Sequence, residues 1–436
     1  MAQTYTTPSH DNVDLVAEGK PVDAVNAEFY SRFQYPWPPQ AVRRRVDPSV
    51  ERTALGQSAG DWTGDVLPER PRIWVAGCGT NQAVLTALRF PDAHVVGSDV
   101  SPESVAASAQ LAERLGVTNL DLQVESINDV TYDREFDHVI STGVVHHNAD
   151  PAATLARVAA ALAPDGLLEL MVYNRYHCTE AIAVQKAVRL LAPATGEAGA
   201  DFDAAMTAAR HILDARPDLV ARMKPGFSGV AHFEAAAADA LIQPVMHTFT
   251  VAELDAMAGG CGLELALPCV NQFDVGRQCV DWNLRFADTA LQRRYLSLTD
   301  VERWQVTNLV QLERSPILWF YLRPAGARPR RGEAEVLDRF AEQRFVAANL
   351  DCEVLVRQAD GSYRASGRNA PYPVRPPDGP ARAVLDEFTA RGPARLRDVL
   401  TDLGLPTDLP TLSELRVRLT TTAFPFLQRV PGVDGG

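Results

Sequence analysis

The chain has 436 residues, of which 46% are hydrophobic and 22% charged, and its formal net charge at pH 7 is -13. These values are typical of a globular protein of two or three domains, and the acidic balance argues against a general binder of nucleic acid or of anionic membranes. The sequence shows no C-x-x-C pair, no Cys/His metal spacing, no secretion signal and no apolar run of roughly 20 residues, so we expect a cytoplasmic protein with reduced cysteines, without metal or membrane span.

The first 70 residues precede the regular part of the chain. Within them, Phe29–Gln40 reads FYSRFQYPWPPQ and is rich in aromatic residues and proline. This composition is compatible with a core patch under an N-terminal helix. We favour the other interpretation, in which residues 1–70 form a helical and aromatic segment that covers a ligand site as a lid.

From Arg72 onwards, predicted strands alternate with predicted helices. The strands read RIWVA, AHVVGSDV, NLDLQV, FDHVIST and GLLELMVY, and the helices are NQAVLTALRF, a helix from Pro102 to Leu115 with Ser101 as its N-cap, and DPAATLARVAAAL. Strands that alternate with helices at this spacing predict an α/β fold. We expect a doubly wound, mostly parallel Rossmann-like sheet with helices on both faces.

The alternation breaks after Tyr173. Residues 176–250 are alanine-rich and are predicted as a helical insertion between late strands of the sheet. The run TVAELDAMAGGCGLELALPCV then predicts a helix, a glycine turn and a strand, and SPILWFYLRP predicts a last strand that ends at Pro324. The sheet with its insertion is therefore expected to occupy residues 71–324.

A run of arginine, proline and glycine, AGARPRRGE, separates the sheet from the remaining residues, 332–436. These predict a separate, small α+β accessory domain with a helix from Glu333, a hairpin around Asp360 and Gly361, and helices near 381–391, 393–404 and 411–419. A winged-helix-like arrangement is one interpretation. Because its charges are nearly balanced, we favour an interaction module, such as one for homodimerisation, over a nucleic-acid-binding one.

Polar and small residues follow the ends of successive strands in the predicted sheet. Gly77-Cys78-Gly79 ends the first strand, and glycine lets backbone N–H groups approach a ligand because it has no Cβ. Asp99 ends the second strand twenty residues beyond Gly79, and Glu125 ends the third. These strand ends share one edge of the sheet, where doubly wound folds bind ligands. A dinucleotide fingerprint would need a third glycine where Gln82 stands.

In their order, the segments VAGCGT, GSDVSPES, VESIND and FDHVISTGVVHH with LAPDGLLEL resemble the motifs of class I S-adenosylmethionine-dependent methyltransferases, over residues 70–175 and more weakly over 245–323. YPWPP is similar to an aromatic-proline segment in one bacterial branch of that family. The chain departs from the family pattern at Val75, where an acid often helps hold the methionine amino group, and at Asn81, where a third glycine often stands. Because S-adenosylmethionine has no phosphates, the glycine missing at position 82 favours it over a nicotinamide cofactor of a reductase.

The resemblance implies S-adenosylmethionine as cofactor, S-adenosylhomocysteine as product and no metal. It implies that Asp99 binds the ribose hydroxyls, that Glu125 and its successors frame the adenine, and that Tyr30 or Tyr35 helps hold the methionine carboxylate. The complete set expected at the cofactor is Tyr30, Tyr35, Gly77, Cys78, Gly79, Asn81, Asp99, Val100, Glu125, Ser126, Ile127, Thr142 and Gly143.

Substrate contacts are expected where the fifth strand ends, in YNRYHCTE, and in the later run NQFDVGRQCVDWN. The residues predicted there are Tyr173, Asn174, Arg175, Tyr176, Asn271 and Asp274. A general base would be needed for an alcohol, and the candidates are His147, His177, His247 and Asp239. For each of these polar residues a purely structural hydrogen-bonding role remains open.

The helical insertion and the aromatic lid favour an enclosed pocket, hence a small-molecule methyl acceptor rather than a protein or a nucleic acid. The acidic residues Glu234, Asp239, Asp274 and Asp281 favour N-methylation of an amino or guanidino group, in bacterial specialised metabolism. Two alternatives stay open: an O-methyltransferase of a natural product, and a non-catalytic S-adenosylmethionine-binding regulatory protein.

Overall fold

The computed structural model describes residues 13–14, 21–62, 67–223, 234–270, 281–311 and 316–430. The strands are β1 Val13–Asp14, β2 Ala41–Arg45, β3 Arg72–Ala76, β4 His94–Asp99, β5 Leu120–Val124, β6 Phe136–Thr142, β7 Leu162–Val172, β8 Val245–Met246, β9 Leu263–Pro268, β10 Leu318–Pro324, β11 Arg344–Ala347, β12 Asp351–Arg357, β13 Tyr363–Pro371, β14 Ala394–Arg395 and β15 Leu427–Arg429. The helices are α1 Val22–Arg32, α2 Ser49–Ala59, α3 Gln82–Arg89, α4 Pro102–Leu115, α5 Pro151–Ala161, α6 Thr179–Leu191, α7 Ala198–Ala215, α8 Pro217–Arg222, α9 Glu234–Leu241, α10 Val251–Gly260, α11 Thr289–Leu296, α12 Asp300–Gln311, α13 Glu333–Glu342, α14 Gly379–Arg391, α15 Leu396–Asp402 and α16 Leu409–Thr420.

The central sheet has seven strands in the order β5-β4-β3-β6-β7-β10-β9. The first five are parallel, and β10 runs antiparallel to both of its neighbours. Helices cover the sheet, and α4 begins as predicted, since the Ser101 side chain accepts the N–H of Ser104. The predicted doubly wound, mostly parallel Rossmann-like sheet is confirmed.

The predicted helical insertion is present as α6 to α9, between β7 and α10. Its apolar residues form a core of their own, in which Phe202 of α7 contacts Phe29 of α1 with ring centroids 5.4 Å apart. The N-terminal helix thus packs on the insertion rather than only on the sheet. None of the described helices is long and apolar enough to span a membrane.

The C-terminal residues build α13 to α16 and two small sheets, β14-β11-β15 and β13-β12-β2. The helix from Glu333 and the hairpin around Asp360 and Gly361 lie where the sequence predicted them. β2, however, comes from the N-terminal segment and pairs antiparallel with β12, from Ala41 opposite Val356 to Arg45 opposite Cys352. Strand edges need a hydrogen-bonding partner, and here residues far apart in sequence supply it.

The N-terminal segment also enters the C-terminal core. Trp62 packs on Phe340 with ring centroids 5.2 Å apart, and the Gln57 side chain donates to the carbonyl oxygens of Thr420 and Leu427. The N-terminal segment thus contacts residues beyond position 332, where the sequence predicted the accessory unit to begin, and that boundary stays a prediction. Its likeness to a winged helix stays a prediction.

Candidate functional site

A cavity of about 490 Å³ lies where the parallel strands β3 to β6 end, below α1 and α9. All the residues that the sequence predicted at the cofactor line this cavity, from Tyr30 and Tyr35 through the Gly77 turn to Gly143. Their individual roles stay predictions. Of the remaining predicted site residues, Tyr173, His147 and Asp239 also line it.

The turn Gly77-Cys78-Gly79 is shaped by protein contacts as much as by space for a ligand. Gly77 has φ +75° and Gly79 has φ +52°, and a Cβ on Gly79 would lie 2.6 Å from the carbonyl oxygen of Tyr35. A Cβ on Gly77 would lie 2.3 Å from Cγ2 of Val144. Because they have no Cβ, these glycines allow the turn to contact Val144 and the Tyr35 backbone closely.

The aromatic-proline segment is bound directly to this turn. The backbone N–H of Thr80 donates to the carbonyl oxygen of Tyr35 at 3.3 Å, and the Asn81 amide donates to that of Trp37 at 3.2 Å. At the position where the family often has glycine, Asn81 thus fixes the turn to the aromatic-proline segment through a side-chain hydrogen bond. Tyr35 and Pro36 of this segment line the cavity, and its role as a lid stays a prediction.

Asp99 is held by the main chain at the end of β4. Its carboxylate accepts the N–H of Gly79 at 2.8 Å and the N–H of Ser101 at 2.9 Å. The side chain is buried, and burial raises the pKa of the Asp99 carboxyl, while these backbone hydrogen bonds lower it. Because a carboxylate can accept about four hydrogen bonds, capacity remains for two ribose hydroxyls on the cavity side.

The neighbouring part of the cavity has an apolar surface and a polar rim. Val100 and Ile127 line it together with Glu125 and Ser126. The Ser126 hydroxyl donates to the carboxylate of Asp23 on α1, a residue that the sequence analysis did not select. An acid at a strand end beside an apolar slot suits the ribose and adenine of S-adenosylmethionine, so the residues present fit that cofactor.

A carboxylate between two tyrosines forms the opposite side of the cavity. Asp239 of α9 accepts the hydroxyl of Tyr30 at 3.1 Å and that of Tyr173 at 2.9 Å. Burial, and then the charge of Asp239, raises the pKa of both tyrosines well above 10. Both phenols therefore stay protonated and donate to the carboxylate.

His147 is buried and is one of the residues that line the cavity. Its Nδ1 lies 2.8 Å from the carbonyl oxygen of Val245, so Nδ1 carries the proton and Nε2 has the lone pair. Nε2 is buried and has no partner of ordinary hydrogen-bond geometry among the described residues, while the neighbouring Gln243 side chain acts to raise the pKa of the ring. Burial lowers the pKa of His147 below 6.5, so the ring is neutral at pH 7.

Two neighbours hold His147 and Tyr173 in place. Asn26 of α1 donates to the backbone carbonyl of His147 at 2.8 Å. His146 is fully buried and packs on both residues, with ring centroids 4.1 Å from His147 and 4.0 Å from Tyr173. His146 does not line the cavity, and burial lowers its pKa well below 6.5, so we assign it a packing role.

Several predicted site residues lie away from the cavity. Arg175 pairs with Glu253 of α10 at 2.9 Å, and the Asn174 amide donates to the carbonyl oxygen of Pro316 at 2.8 Å. These side chains follow β7 but turn towards α10 and β10, because the loop is fixed by those contacts. The predicted residues that do not line the cavity are Asn174, Arg175, Tyr176, His177 and His247. Asn271 and Asp274 lie outside the described residues.

The cavity also includes residues that the sequence analysis missed. One face of α3, with Gln82, Thr86 and Arg89, and two residues from central strands, Glu169 and Trp319, line it. The helical spacing of the α3 residues was visible in the sequence, but nothing there indicated that this face meets a cavity. Among the described residues, no group of three or more His, Cys, Asp or Glu side chains could hold a metal ion.

A family model described as a methyltransferase domain matches residues 74–168. An uncharacterized protein of Synechococcus sp. is 32% identical over 188 residues, which are 42% of this chain and 44% of that protein. The ubiquinone biosynthesis O-methyltransferase of Bradyrhizobium sp. is 34% identical over 113 residues, 26% of this chain and 44% of that enzyme. The chain thus spans less than half the length of either relative.

The fold also resembles a solved structure, that of PKMT2 from Rickettsia typhi in complex with AdoHcy. The TM-score is 0.54 and the sequence identity 15%, and the match covers 90% of this chain and 77% of that one. At this identity the likeness concerns the fold. Because it extends over nearly the whole chain, it includes most of the accessory unit as well as the sheet.

Proposed function

We propose, from the premise that this chain belongs to the class I S-adenosylmethionine-dependent methyltransferases, that it methylates an amino or guanidino nitrogen of a small polar metabolite. One observation carries the choice of nitrogen: the Asp239 carboxylate lies between Tyr30 and Tyr173 in the same cavity as Asp99. A carboxylate attracts a cationic nitrogen, and aromatic faces beside it add a cation–π contribution.

The residues that line the cavity divide into those that would bind the cofactor and those that would bind the acceptor. Asp99 and Glu125 would hold the adenosine of the cofactor, with Val100 and Ile127 against the adenine. When bound, S-adenosylmethionine supplies a methyl group on a sulfonium, which a nucleophile displaces in line. Asp239 orients the acceptor nitrogen, and such alignment of two reactants can lower a barrier by about 7–11 kcal/mol.

A protonated nitrogen has no lone pair with which to attack, so a base must first remove a proton. His147 suits this task because its Nδ1–H is fixed on the Val245 carbonyl and its neutral Nε2 can accept the proton. The lid formed by α1 and the aromatic-proline segment keeps water from the reacting groups.

The same neutral His147 favours one alternative. Its Nε2 could equally accept the proton of a hydroxyl, which supports O-methylation of a natural product as the second candidate. In that case Asp239 would accept a hydrogen bond from the acceptor rather than pair with a cation. The variant Asp239→Asn, which removes the charge and keeps the shape of the side chain, distinguishes N-methylation from O-methylation.

The test uses the whole purified chain and S-adenosylmethionine labelled in the methyl group. Amines and guanidino compounds are compared with alcohols of the same carbon skeleton. We expect label on nitrogen acceptors, and we expect Asp239→Asn to lower kcat/KM by about 30-fold to 1,000-fold, the usual cost of removing one partner of a buried charge pair. The affinity for S-adenosylhomocysteine should stay within about twofold.

Glu234→Gln is the matched control, because it removes an acid from the same helix that is exposed and pairs with Arg210. Label on alcohols alone would establish the O-methyltransferase instead. Binding of S-adenosylmethionine without transfer to any member of a broad metabolite panel would support the regulatory reading and contradict our proposal.

A further inference from the structure

The acid that the family often carries at position 75 is replaced here by a buried valine, and another acid occupies the same row of the sheet. Val75 of β3 pairs with Ile140 of β6, which in turn pairs with Glu169 of β7. Register neighbours in parallel strands point to the same face of a sheet. Neighbouring strands lie about 4.8 Å apart, and Glu169 is two strands away from Val75. The Glu169 side chain therefore projects from the same face of the sheet about 10 Å from Val75.

Glu169 lines a part of the cavity that we name the α3 lobe. It lies between one face of α3 and three central strands, and its residues are Gln82, Leu85, Thr86, Arg89, Ile140, Thr142, Glu169, Met171 and Trp319. At 1.5 Å per residue, the α3 face extends about 10 Å from Gln82 to Arg89. At one end of the lobe the Gln82 amide donates to the Thr142 hydroxyl at 2.6 Å, close to Gly77 and Gly143.

The lobe contains one charge of each sign. Arg89 directs Nε and Nη2 to the same oxygen of Glu51 at 3.2 Å, and Glu51 also accepts a hydrogen bond from the buried Arg45 at 2.6 Å. Two arginines thus share one carboxylate, and Nη1 of Arg89 makes no hydrogen bond to a described residue. The Arg89 side chain is 39% exposed, so its guanidinium can still bind an anion.

Glu169 has capacity for a cation. One of its carboxylate oxygens accepts the indole N–H of Trp319 at 3.0 Å, and the other lies 3.7 Å from Nε2 of His138. Burial lowers the pKa of His138 to about 4, so that ring is neutral; burial also raises the pKa of the Glu169 carboxyl, while the positive charge of Arg89 lowers it. Glu169 and Arg89 together therefore match a ligand end that carries both an ammonium and a carboxylate.

We propose that the α3 lobe binds the methionine end of S-adenosylmethionine, with Glu169 accepting hydrogen bonds from its ammonium group and Arg89 donating to its carboxylate. A ligand whose ribose binds Asp99 reaches the lobe past the Gly77 turn, since Gly77 and Thr142 line the same cavity. The acid missing at Val75 is thereby supplied from β7, and Arg89 replaces Tyr30 or Tyr35 as the expected partner of the methionine carboxylate. This inference rests on the cofactor of the proposed function and is independent of the acceptor.

The test compares two ligands that differ only in this end. S-adenosylhomocysteine carries the amino-acid group, and 5′-methylthioadenosine has the same adenosine and thioether without it. Both are titrated calorimetrically into the full chain and its variants Glu169→Gln and Arg89→Gln. We expect each variant to bind S-adenosylhomocysteine about 10-fold to 100-fold more weakly and to bind methylthioadenosine within about twofold of the unchanged chain.

The methylthioadenosine titration also shows that each variant is folded, and Arg89→Lys, which keeps the charge near Glu51, should lose less affinity than Arg89→Gln. Arg382→Gln is the control, since Arg382 is exposed and pairs with Asp386. Equal losses for both ligands, or no loss for either, would overturn the proposal. If neither ligand bound the unchanged chain, the assignment of S-adenosylmethionine as cofactor would be refuted. That outcome would contradict the proposed function, and it is distinct from a failure of the α3-lobe proposal alone.

Discussion

The two sides of the cavity are built in different ways. On the sheet wall, formed by Gly77, Gly79, Asp99 and Glu125 at the strand ends, the key carboxylate is fixed by backbone N–H groups. On the helix wall, formed by Tyr30, Tyr173, His147 and Asp239, side chains hold one another. A hydrogen bond from a backbone N–H persists when the side chain of the donor residue is substituted. A hydrogen bond between two side chains, as on the helix wall, is lost when either residue is substituted.

This difference suggests that the sheet wall binds the cofactor and the helix wall binds the acceptor. A cofactor shared by many enzymes can be bound by the backbone geometry of the sheet, while an acceptor specific to one enzyme requires particular side chains. Within the helix wall, Tyr30 packs against a separate core, that of α1 with the helical insertion. Substitutions there should therefore change turnover and leave cofactor binding intact, and the reverse should hold for the sheet wall.

The largest expected effect comes from His147, the residue of the helix wall that we propose as the base. His147→Gln keeps a polar group of similar size but cannot accept a proton, so we expect kcat to fall by about 10²-fold to 10⁴-fold. The affinity for S-adenosylhomocysteine should remain within about twofold. Single-turnover kinetics and calorimetry measure the two quantities. A comparable loss of cofactor affinity would show that the two walls are not independent.

The pH dependence adds a second readout for the same residue. Burial lowers the pKa of His147 below its ordinary 6.5, and the base is active only when neutral. Lowering the pH through the shifted pKa protonates the ring, so the acid limb of the kcat profile should lie below pH 6.5. That limb should disappear in His147→Gln. A limb at or above pH 6.5 would assign the titration to another group.

The sheet wall was predictable from sequence for a physical reason. Its strands, turns and helix caps are local features: Gly77 and Gly79 need positive φ, Ser101 caps α4, and Asp99 directly follows a buried strand. The parallel order of the strands then brings these ends to one edge without further information. All the predicted cofactor residues on the strand ends consequently line the cavity.

The helix wall was only partly predictable, because long-range packing determines it. Tyr30, Tyr173 and Asp239 were selected as separate residues, but the hydrogen bonds that join them across 209 and 66 positions in the chain leave no local pattern. The same limit explains why nothing in the sequence showed that Asn174 and Arg175, adjacent to Tyr173, do not line the cavity. It also explains β2, whose partner β12 lies some 300 positions away.

The next prediction concerns the sheet wall. Asp99→Ala removes a charged acceptor from two ribose hydroxyls and leaves the N–H groups of Gly79 and Ser101 unpaired. We expect affinity for S-adenosylhomocysteine to fall by about 1.5–3 kcal/mol, which is about 10-fold to 150-fold. Calorimetry on a variant with normal circular dichroism measures it. Unchanged affinity would refute the ribose assignment, although the fold would stand.

The smallest expected effect tests whether the helix wall acts through side-chain pairs. Tyr30→Phe removes one of the two hydroxyls that donate to Asp239 while keeping the ring, and Tyr173→Phe removes the other. A hydrogen bond to a charged group contributes about 1.5–3 kcal/mol when its partner is fully desolvated. Because the second tyrosine remains in each variant and cavity water can replace the lost donor, we expect only about a 2-fold to 10-fold rise in KM for the acceptor, roughly 0.4–1.4 kcal/mol.

The double variant shows whether the hydroxyls of Tyr30 and Tyr173 act on Asp239 together or independently. If the two hydroxyls jointly hold the Asp239 carboxylate in the position that orients the acceptor, Tyr30→Phe with Tyr173→Phe should raise KM by more than the product of the single effects, as coupled groups do. Tyr176→Phe is the matched control, since Tyr176 follows the same strand but does not line the cavity. Strict additivity, or a fall in cofactor affinity in any of these variants, would mean that the helix wall is organised by its backbone in the same manner as the sheet wall.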